Sequence, residues 1–372
     1  MQILRSCIKF SVAAFLGGLA AGCGGGGSGS SLAPAVSCSI AQLESQMDAT
    51  LSQAVSEEDF SYSVQRQDGR QYTFNRGAST LQTSYESKSA SKLVSAVIIL
   101  RLVEQDALEQ DPLTLLSRPQ DHIATWPIPS SDPLFGMTLA QLLSFTSGLK
   151  IDPPCLEGPS SGFEACVISV ANANAGNSIA PGQEFFYASA HLQVAGLMAA
   201  EARAMSWQAI VADFKSQTGL FPSSSYNSPS ASNPNLAGGM HFTGQDYMDF
   251  LKALKDGLLL NAASMSELLS DHTALVPIAF SPMFSGIGGG PGLGEDWHYG
   301  FGLWHECQSA TFNCVAGTRV SSPGALGTYP FWDRSKGFAG IVVLNGVFGA
   351  DLLTGITIER SVRSTMESWA AC

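Results

Sequence analysis

Basic side chains and long apolar runs are both scarce in this chain of 372 residues. Lys and Arg number 19 against 31 Asp and Glu, which leaves a formal net charge of −12. Because proteins bind nucleic-acid phosphates with clustered Lys and Arg, we expect no nucleic-acid partner. The apolar run of residues 10–21 is too short to cross the roughly 30 Å core of a bilayer as a helix.

Metal-ligand spacing is also missing. The histidines are scattered, and none forms the tight cluster with cysteines that a structural zinc site requires. We therefore expect no metal, and the candidate chemistry at serine needs no cofactor. The histidines stand at positions 122, 191, 241, 272, 298 and 305.

The N-terminus has the three parts of a signal peptide. Arg5 and Lys9 form a charged segment, the apolar run follows, and small residues precede Cys23. We expect residues 1–22 to be removed. Because this removes two basic and no acidic side chains, the net charge would change from −12 to −14.

Cys23 is a candidate lipidation site. The sequence Leu19-Ala-Ala-Gly-Cys23 resembles a bacterial lipobox, although Ala20 differs from the usual Leu; an ordinary cleaved signal is the alternative. Residues 23–37 form a tether that begins as a flexible Gly/Ser coil. We expect an exported protein, periplasmic or on the outer face of a bacterial membrane, whose only contact with the membrane is the lipid anchor.

Six cysteines remain in the expected folded body, and they indicate an oxidising compartment. Six cysteines allow fifteen connectivities. Closeness along the chain favours two local loops and one bridge between the ends of the body. The predicted pairs are Cys155 with Cys166, Cys307 with Cys314, and Cys38 with Cys372.

Periodicity and turn residues predict an α/β domain over residues 38–372. A sheet assembled from both ends of the chain would bring the terminal helices onto one of its faces, with a helical insert at about residues 85–285. The predicted elements are a helix over 39–56, a hairpin of 60–67 and 71–76, a helix over 89–108, strands at 299–306, 318–321 and 337–344, and a closing helix over 351–371.

Ser-x-x-Lys occurs three times, and its residue types suit nucleophilic catalysis. A serine hydroxyl needs a base within reach, and positions i and i+3 share one face of a helix. Burial would favour the neutral lysine that can accept the proton. Ser6 lies in the signal peptide, and Ser147 precedes Gly148 at a helix stop. Ser89 with Lys92 is the candidate pair, and a capping serine beside a solvated lysine is the alternative.

Further segments follow Ser89-Ala-Ser-Lys92 in a fixed order, at residues 137–149, 181–190, 235–240 and 299–304. Together they resemble the serine β-lactamase and penicillin-binding protein superfamily, and most closely the class C β-lactamases and β-lactamase-like carboxylesterases. The resemblance covers about residues 85–345. It implies a β-lactamase-like antiparallel sheet flanked by terminal helices, with a large inserted helical subdomain.

The superfamily's second motif, Tyr-x-Asn or Tyr-x-Ser, is matched by Tyr187-Ala-Ser189. The resemblance implies that Tyr187 shares proton transfer with Lys92 and that Ser189 faces the substrate. Which of Lys92 and Tyr187 is the base stays open. A packed core tyrosine is the alternative for Tyr187, and Tyr226 is a second match in a Ser/Pro loop.

The third motif departs from the superfamily pattern. Ser322-Pro-Gly324 stands where a Lys or His, a small residue and a Gly are usual. The N–H groups of Ser89 and Ala325, beside Gly324, could still hold an oxyanion. Without this cation, the site has no charged partner for a substrate carboxylate. Simple esters carry no such carboxylate and do not need the cation. We therefore expect an esterase-like serine hydrolase acting on a small-molecule acyl substrate through an acyl-enzyme.

Two alternatives remain. The first is a penicillin-binding D,D-peptidase or β-lactamase, which the retained Ser-x-x-Lys and Tyr motifs allow. The second is a lipid-anchored binding protein that keeps the fold without turnover, which the absent third-motif cation favours.

Overall fold

The computed structural model describes residues 38–54, 56, 58–106, 111–159 and 162–372. The predicted signal peptide, the lipidation site at Cys23 and the tether up to residue 37 lie outside the described residues. Residues 107–108, the end of the helix predicted over 89–108, also lie outside them.

The main sheet joins the two ends of the folded body, as expected. Its order is β10-β11-β12-β13-β14-β1-β2, and every neighbouring pair is antiparallel. The strands are β1 Phe60–Arg66, β2 Gln71–Asn75, β3 Ser84–Glu86, β4 Phe185–Phe186, β5 Ser225–Tyr226, β6 Pro229–Ser230, β7 Asn233–Pro234, β8 Met240–Thr243, β9 Ile278–Phe280, β10 His298–Tyr299, β11 Trp304–His305, β12 Arg319–Ser321, β13 Tyr329–Asp333 and β14 Phe338–Leu344.

The terminal helices pack against each other, and the last of them covers the sheet. All seven residues of β14 are buried, so both faces of this strand are covered; α11 and α8 are helices that contact it. The helices are α1 Ile40–Ser52, α2 Ser91–Asp106, α3 Pro119–His122, α4 Leu139–Leu143, α5 Phe163–Asn174, α6 Ala190–Ala202, α7 Trp207–Thr218, α8 Gly244–Lys255, α9 Ala262–Leu268, α10 Pro282–Ser285 and α11 Thr354–Ala371. The predicted α/β fold is confirmed.

The strand predicted over residues 299–306 is wrong, because the chain turns back within it. Strands β10 and β11 pair with each other, and Gly302 lies between them at φ +68°. A Cβ on Gly302 would lie 2.5 Å from the Lys92 carbonyl oxygen, so the turn and the close approach to α2 both require glycine.

Strand β13 was missed by the sequence reasoning. Pro330 interrupts its pattern, and proline ordinarily argues against an interior strand. The strand nevertheless pairs with β12 on one side and β14 on the other. Burial of all five residues, four of which are aromatic or apolar, therefore outweighs the missing proline donor.

Helix α2 also differs from its sequence pattern. Its apolar spacing predicts an amphipathic helix, but twelve of its residues are buried, from Ser91 at its start to Asp106 at its end. The reason is its central place, since α2 contacts both α6 and α9. Such a position removes water from polar side chains on its first turn.

The two local disulfides predicted from sequence, Cys155–Cys166 and Cys307–Cys314, are both present. Cys38 and Cys372 are each disulfide-bonded as well. The pairing of these last two with each other stays a prediction.

Candidate active site

Ser89 lies in a short 3₁₀ turn, Lys88–Ala90, that leads into α2. The sequence pattern places it on the helix itself; the structure places it one turn earlier. Lys88 has a left-handed backbone at φ +44°, which is unfavourable for a residue with a Cβ. Backbone strain of this kind costs on the order of 1–3 kcal/mol and persists only where neighbouring contacts impose it.

The contact that holds this turn comes from Ser87. Its buried hydroxyl donates to the Met240 carbonyl oxygen at 2.6 Å and lies 2.6 Å from the hydroxyl of Ser91. The Ser91 hydroxyl in turn accepts from the Met240 N–H at 3.2 Å. Strand β8 and the first residue of α2 thus fix the turn on both sides of Ser89.

Lys92 reaches Ser89 from the first turn of α2. Its Nζ lies 2.9 Å from Ser89 Oγ and donates to the Ala237 carbonyl oxygen at 2.8 Å. Only 3% of the residue is exposed. Burial lowers the pKa of Lys92 to about 7, while the charges of Asp152 and Glu157 oppose this shift. A large fraction of the amine is therefore neutral near neutral pH.

The lysine has no acidic partner within the described ranges. Lys92 forms no ion pair with a carboxylate of the described residues. The negative charges of Asp152 and Glu157 raise its pKa from a greater distance. A buried ammonium without a partner is disfavoured, because desolvation penalises the charged form. The absence of a close carboxylate is thus what makes Lys92 a possible base.

Tyr187 follows β4 and faces the same amine. The Lys92 Nζ lies 4.8 Å from the centre of its ring, and the ring stacks on Trp304 at 5.1 Å. Burial raises the pKa of the Tyr187 phenol, and hydrogen bonding to the side chains of Ser89 and Trp304 partly opposes this. The phenol therefore stays protonated at neutral pH and can donate to an oxygen or nitrogen nearby.

The segment at the third motif packs directly against the Ser89 turn. The Ser322 hydroxyl lies 3.2 Å from the carbonyl oxygens of both Ser89 and Gly302. Its proton is therefore directed at the protein backbone. The predicted substrate-binding role of Ser322 stays a prediction.

Gly324 allows its segment to approach the Ser89 turn closely, but its own N–H is not free to bind an oxyanion. Its N–H donates to the Thr328 carbonyl oxygen at 2.7 Å, and a Cβ on it would lie 2.3 Å from the Ser87 carbonyl oxygen. For the N–H of Ala325, in contrast, no acceptor is found in the described part of the chain. The Ala325 N–H is therefore the second donor that this segment can offer to an oxyanion.

Ser189 caps the start of α6 beside Tyr187. Its N–H and that of Ala190 donate to the two carboxylate oxygens of Asp152, at 2.9 Å and 2.8 Å. The predicted substrate-facing role of Ser189 stays a prediction. The observed contact shows that Asp152 fixes the chain just after Tyr187 by binding a helix N-terminus.

Two alternatives considered from the sequence, Ser147 and Tyr226, make other contacts. Ser147 is fully buried, and its hydroxyl lies 2.9 Å from His191 Nδ1. Tyr226 is also buried, and its hydroxyl donates to the Leu236 carbonyl oxygen at 2.6 Å. Their polar groups have protein partners, which is the packed-core role.

Asp152, Ala237 and Trp304 were not singled out from the sequence as site residues. A backbone carbonyl such as that of Ala237 carries no side-chain signal, although residues 235–240 were noted as a family-like segment. Trp304 belongs to the other such segment, at 299–304. Asp152 gives no local signal, because it is 37 residues along the chain from the N–H of Ser189 that it binds.

Over the described residues, no group of His, Cys, Asp and Glu is arranged to hold a metal ion. In the same ranges, no helix combines the length and apolar character that a membrane crossing demands.

Comparison with known proteins shows the family to which the chain belongs. The family model described as Beta-lactamase matches residues 64–361, which is most of the chain. The protein therefore belongs to the beta-lactamase family, whose members are generally serine hydrolases. No match is found among curated proteins.

Solved structures show the same fold at low sequence identity. EstCE1, a hydrolase with promiscuous acyltransferase activity, is 16% identical with a TM-score of 0.64, covering 87% of this chain and 98% of that one. A penicillin binding protein from Bacillus halodurans is 17% identical with a TM-score of 0.62, covering 87% and 98%. The D-amino acid amidase from Ochrobactrum anthropi SV3 is 16% identical with a TM-score of 0.63, covering 87% and 99%.

Proposed function

We propose that this protein is an exported serine hydrolase that cleaves esters or amides through an acyl-enzyme on Ser89. The observation that carries the proposal is the 2.9 Å contact between Ser89 Oγ and the Nζ of a buried lysine with a pKa of about 7. A neutral amine at this distance meets both requirements of a general base, which are geometry and protonation state.

In the proposed reaction, Ser89 Oγ attacks the substrate carbonyl carbon and its proton passes to Lys92 Nζ. The carbonyl oxygen becomes an oxyanion, which the N–H groups of Ser89 and Ala325 stabilise. The bond to the leaving group then breaks, and the leaving oxygen or nitrogen takes a proton delivered through Tyr187. Water attacks the acyl-enzyme by the same route and restores Ser89.

Lys92 is the better candidate for the base, and Tyr187 for the proton donor. Burial moves the two pKa values in directions that leave the lysine partly neutral and the phenol protonated. Both shifts have the same physical origin, since a low-polarity environment disfavours ammonium and phenolate alike. Groups whose protonation states differ in this way suit opposite roles in proton transfer.

The charges around the site favour substrates without a carboxylate next to the scissile bond. No cation stands at Ser322, and the nearby Lys88 is paired with Glu86 at 2.8 Å. The charges that act on Lys92 are the carboxylates of Asp152 and Glu157. An anionic β-lactam or stem peptide would be repelled there, so we favour esterase-like activity over β-lactamase or D,D-peptidase activity.

The location is part of the proposal. A signal peptide over residues 1–22 and a lipid anchor at Cys23 would place the domain outside the cytoplasm. The two local disulfides support an oxidising compartment. The partner would then be a small acyl compound reached in the periplasm or at the outer face of the membrane.

The test is labelling of the protein with a fluorescent fluorophosphonate and, in parallel, with a fluorescent penicillin. We expect fluorophosphonate labelling of the wild type, loss of labelling in Ser89→Ala, and full labelling in the matched control Ser147→Ala. Stable penicillin labelling would instead favour the penicillin-binding alternative. Absence of both labels from the wild type would favour the non-catalytic binding protein.

A further inference from the structure

A cavity of about 790 Å³ lies beside β9 and α10, between Thr273 and Ser285. This volume is within the range of small-molecule sites. We infer that it receives the apolar part of the substrate whose carbonyl Ser89 attacks. The inference rests on the proposed function and adds the substrate class to it.

The lining of the cavity combines a row of apolar side chains with polar groups. Val276, Ile278 and Phe280 line it, together with Leu275 and Phe284. Leu275 is 97% exposed and Phe284 is 51% exposed. Single exposed apolar side chains are common on protein surfaces, but two of them lining one cavity form an apolar patch of the kind that binds ligands.

The wall of the cavity is hydrogen-bonded to the segment that carries Tyr187. Strand β9 pairs with β4, and the Phe185 N–H donates to the Pro277 carbonyl oxygen at 2.9 Å. The Tyr187 N–H donates to the Phe280 carbonyl oxygen at 3.2 Å. The backbone that positions the proposed proton donor is therefore bonded to the backbone that builds the cavity wall.

One polar atom in the cavity is left without a protein partner. Ser281 is among the lining residues and is 4% exposed, and its buried hydroxyl has no hydrogen-bond partner among the described residues. Buried hydroxyls usually have a partner, so this one has unused capacity to hydrogen-bond to a bound ligand. Ser281 directly follows Phe280, whose carbonyl binds Tyr187.

The remaining polar groups do not suit a charged ligand. His298 lines the cavity, but its Nδ1 lies 2.6 Å from Asp271 and its ring stacks on Phe312 at 3.8 Å. Asp296 also lines it, and one of its oxygens accepts from the Phe312 N–H at 3.0 Å. The occupant that fits is a neutral ester or amide with a medium-length apolar chain and one atom able to hydrogen-bond to Ser281.

The experiment measures kcat/KM for p-nitrophenyl acetate and p-nitrophenyl octanoate. We expect the wild type to prefer octanoate, and Leu275→Asp and Phe284→Asp each to lower kcat/KM for octanoate about tenfold while acetate changes less than about twofold. Leu275 is almost fully exposed, so its replacement leaves the fold intact. The matched control is Leu258→Asp, another exposed leucine at 69%, which should affect neither ester.

Equal effects on both esters, or no effect on either, would overturn the inference. The inference would also be overturned if Leu258→Asp reduced the preference for octanoate as much as Leu275→Asp does. The alkyl chain of octanoate has no group that could hydrogen-bond to Ser281, whereas the chain of a hydroxyoctanoate ester has one. Ser281→Ala should therefore lower kcat/KM for the hydroxyoctanoate ester more than for octanoate. A uniform response of the two esters to Ser281→Ala contradicts the assigned role of Ser281.

Failure of the proposed function is recognised separately. Acetate hydrolysis that persists in Ser89→Ala, or is absent from the wild type, would reject the hydrolase proposal. The cavity is then judged by calorimetric binding of octanamide to Ser89→Ala, which requires no turnover. A clearly weaker affinity in Ser89→Ala/Leu275→Asp supports the cavity, and equal affinity in the two proteins rejects it.

Discussion

Lys92 and Arg319 are two buried cations of this protein with opposite surroundings. Lys92 is 3% exposed and Arg319 is 9% exposed. The Arg319 guanidinium, on β12, lies 2.8 Å from Glu359, 3.0 Å from Glu306 and 3.5 Å from Asp333. Lys92 has only a carbonyl oxygen and a hydroxyl within hydrogen-bond distance among its described neighbours.

The pKa values of the two cations shift in opposite directions. Burial alone would lower the pKa of Arg319, but Tyr329, Glu359 and Glu306 raise it well above its ordinary value. For Lys92 burial prevails and lowers the pKa to about 7. Burial therefore favours a neutral, reactive side chain at one place and permits a fixed charge at the other, depending on whether carboxylates are close.

The largest expected effect is on catalysis at Lys92. Under the proposed mechanism, Lys92→Met removes the base, and we expect kcat to fall by about 10³-fold or more. The same change removes an unpaired buried cation, so the midpoint of urea unfolding should not fall. Retention of more than a tenth of the wild-type kcat would reject Lys92 as the base.

The next largest effect is on stability at Arg319. Arg319→Met leaves three carboxylates without their central cation, and we expect a loss of about 3–5 kcal/mol in the free energy of unfolding, measured in urea. The matched control is Lys336→Met, at the exposed ion pair of Lys336 with Glu367, where the loss should be at most about 1 kcal/mol. Similar losses at the two positions would mean that the buried network does not depend on its arginine.

The pH dependence gives a third test. The neutral form of Lys92 is the active one, and its pKa is about 7. We therefore expect kcat/KM to rise with pH up to about pH 7 and to level off above it, as far as the titration of Lys92 is concerned. The unfolded lysine, with an ordinary pKa of 10.5, binds more protons than the folded one between about pH 7 and 10.5. The free energy of unfolding of the wild type should therefore increase with pH across this window relative to Lys92→Met. An unchanged difference between the two proteins over this range would contradict the lowered pKa.

The smallest effect concerns Glu157. Its carboxylate raises the pKa of Lys92, so Glu157→Gln should move the rising limb of kcat/KM to lower pH. The Glu157 side chain is 72% exposed, so the shift should be small and should shrink further at high salt. Glu201→Gln, another exposed glutamate, is the control and should leave the limb in place. A shift toward higher pH in Glu157→Gln would contradict the sign of the interaction.

Much of the main sheet could be predicted because its signals are local. The hairpin of β1 and β2 follows from alternating apolar residues around Asp68-Gly69, where Gly69 has φ +90°. Strand β14 is a continuous apolar run. Strands β10, β11 and β13 could not be predicted in the same way, since Gly302 and Pro330 break the local pattern and only pairing across the sheet restores it.

The candidate residues Ser89, Lys92 and Tyr187 were found from short motifs and their order along the chain. Spacing alone could not separate Ser89 from Ser147, because both have a lysine three residues later. The structure separates them by surroundings. Ser147 is fully buried beside His191, while Ser89 is only partly buried and lies beside the amine of Lys92.

The sequence by itself determined which chemical groups are available: a serine and a lysine three positions apart, a tyrosine motif, and no cation at Ser322. Those are properties of residue identity and spacing, which need no long-range contacts. Tertiary structure alone decided how these groups behave. It buried Lys92 away from carboxylates, brought the Ala237 carbonyl to its amine, and turned the Ser322 hydroxyl toward the Ser89 backbone. A pKa depends on solvation and on charges from distant segments, so it emerges only when the chain is folded.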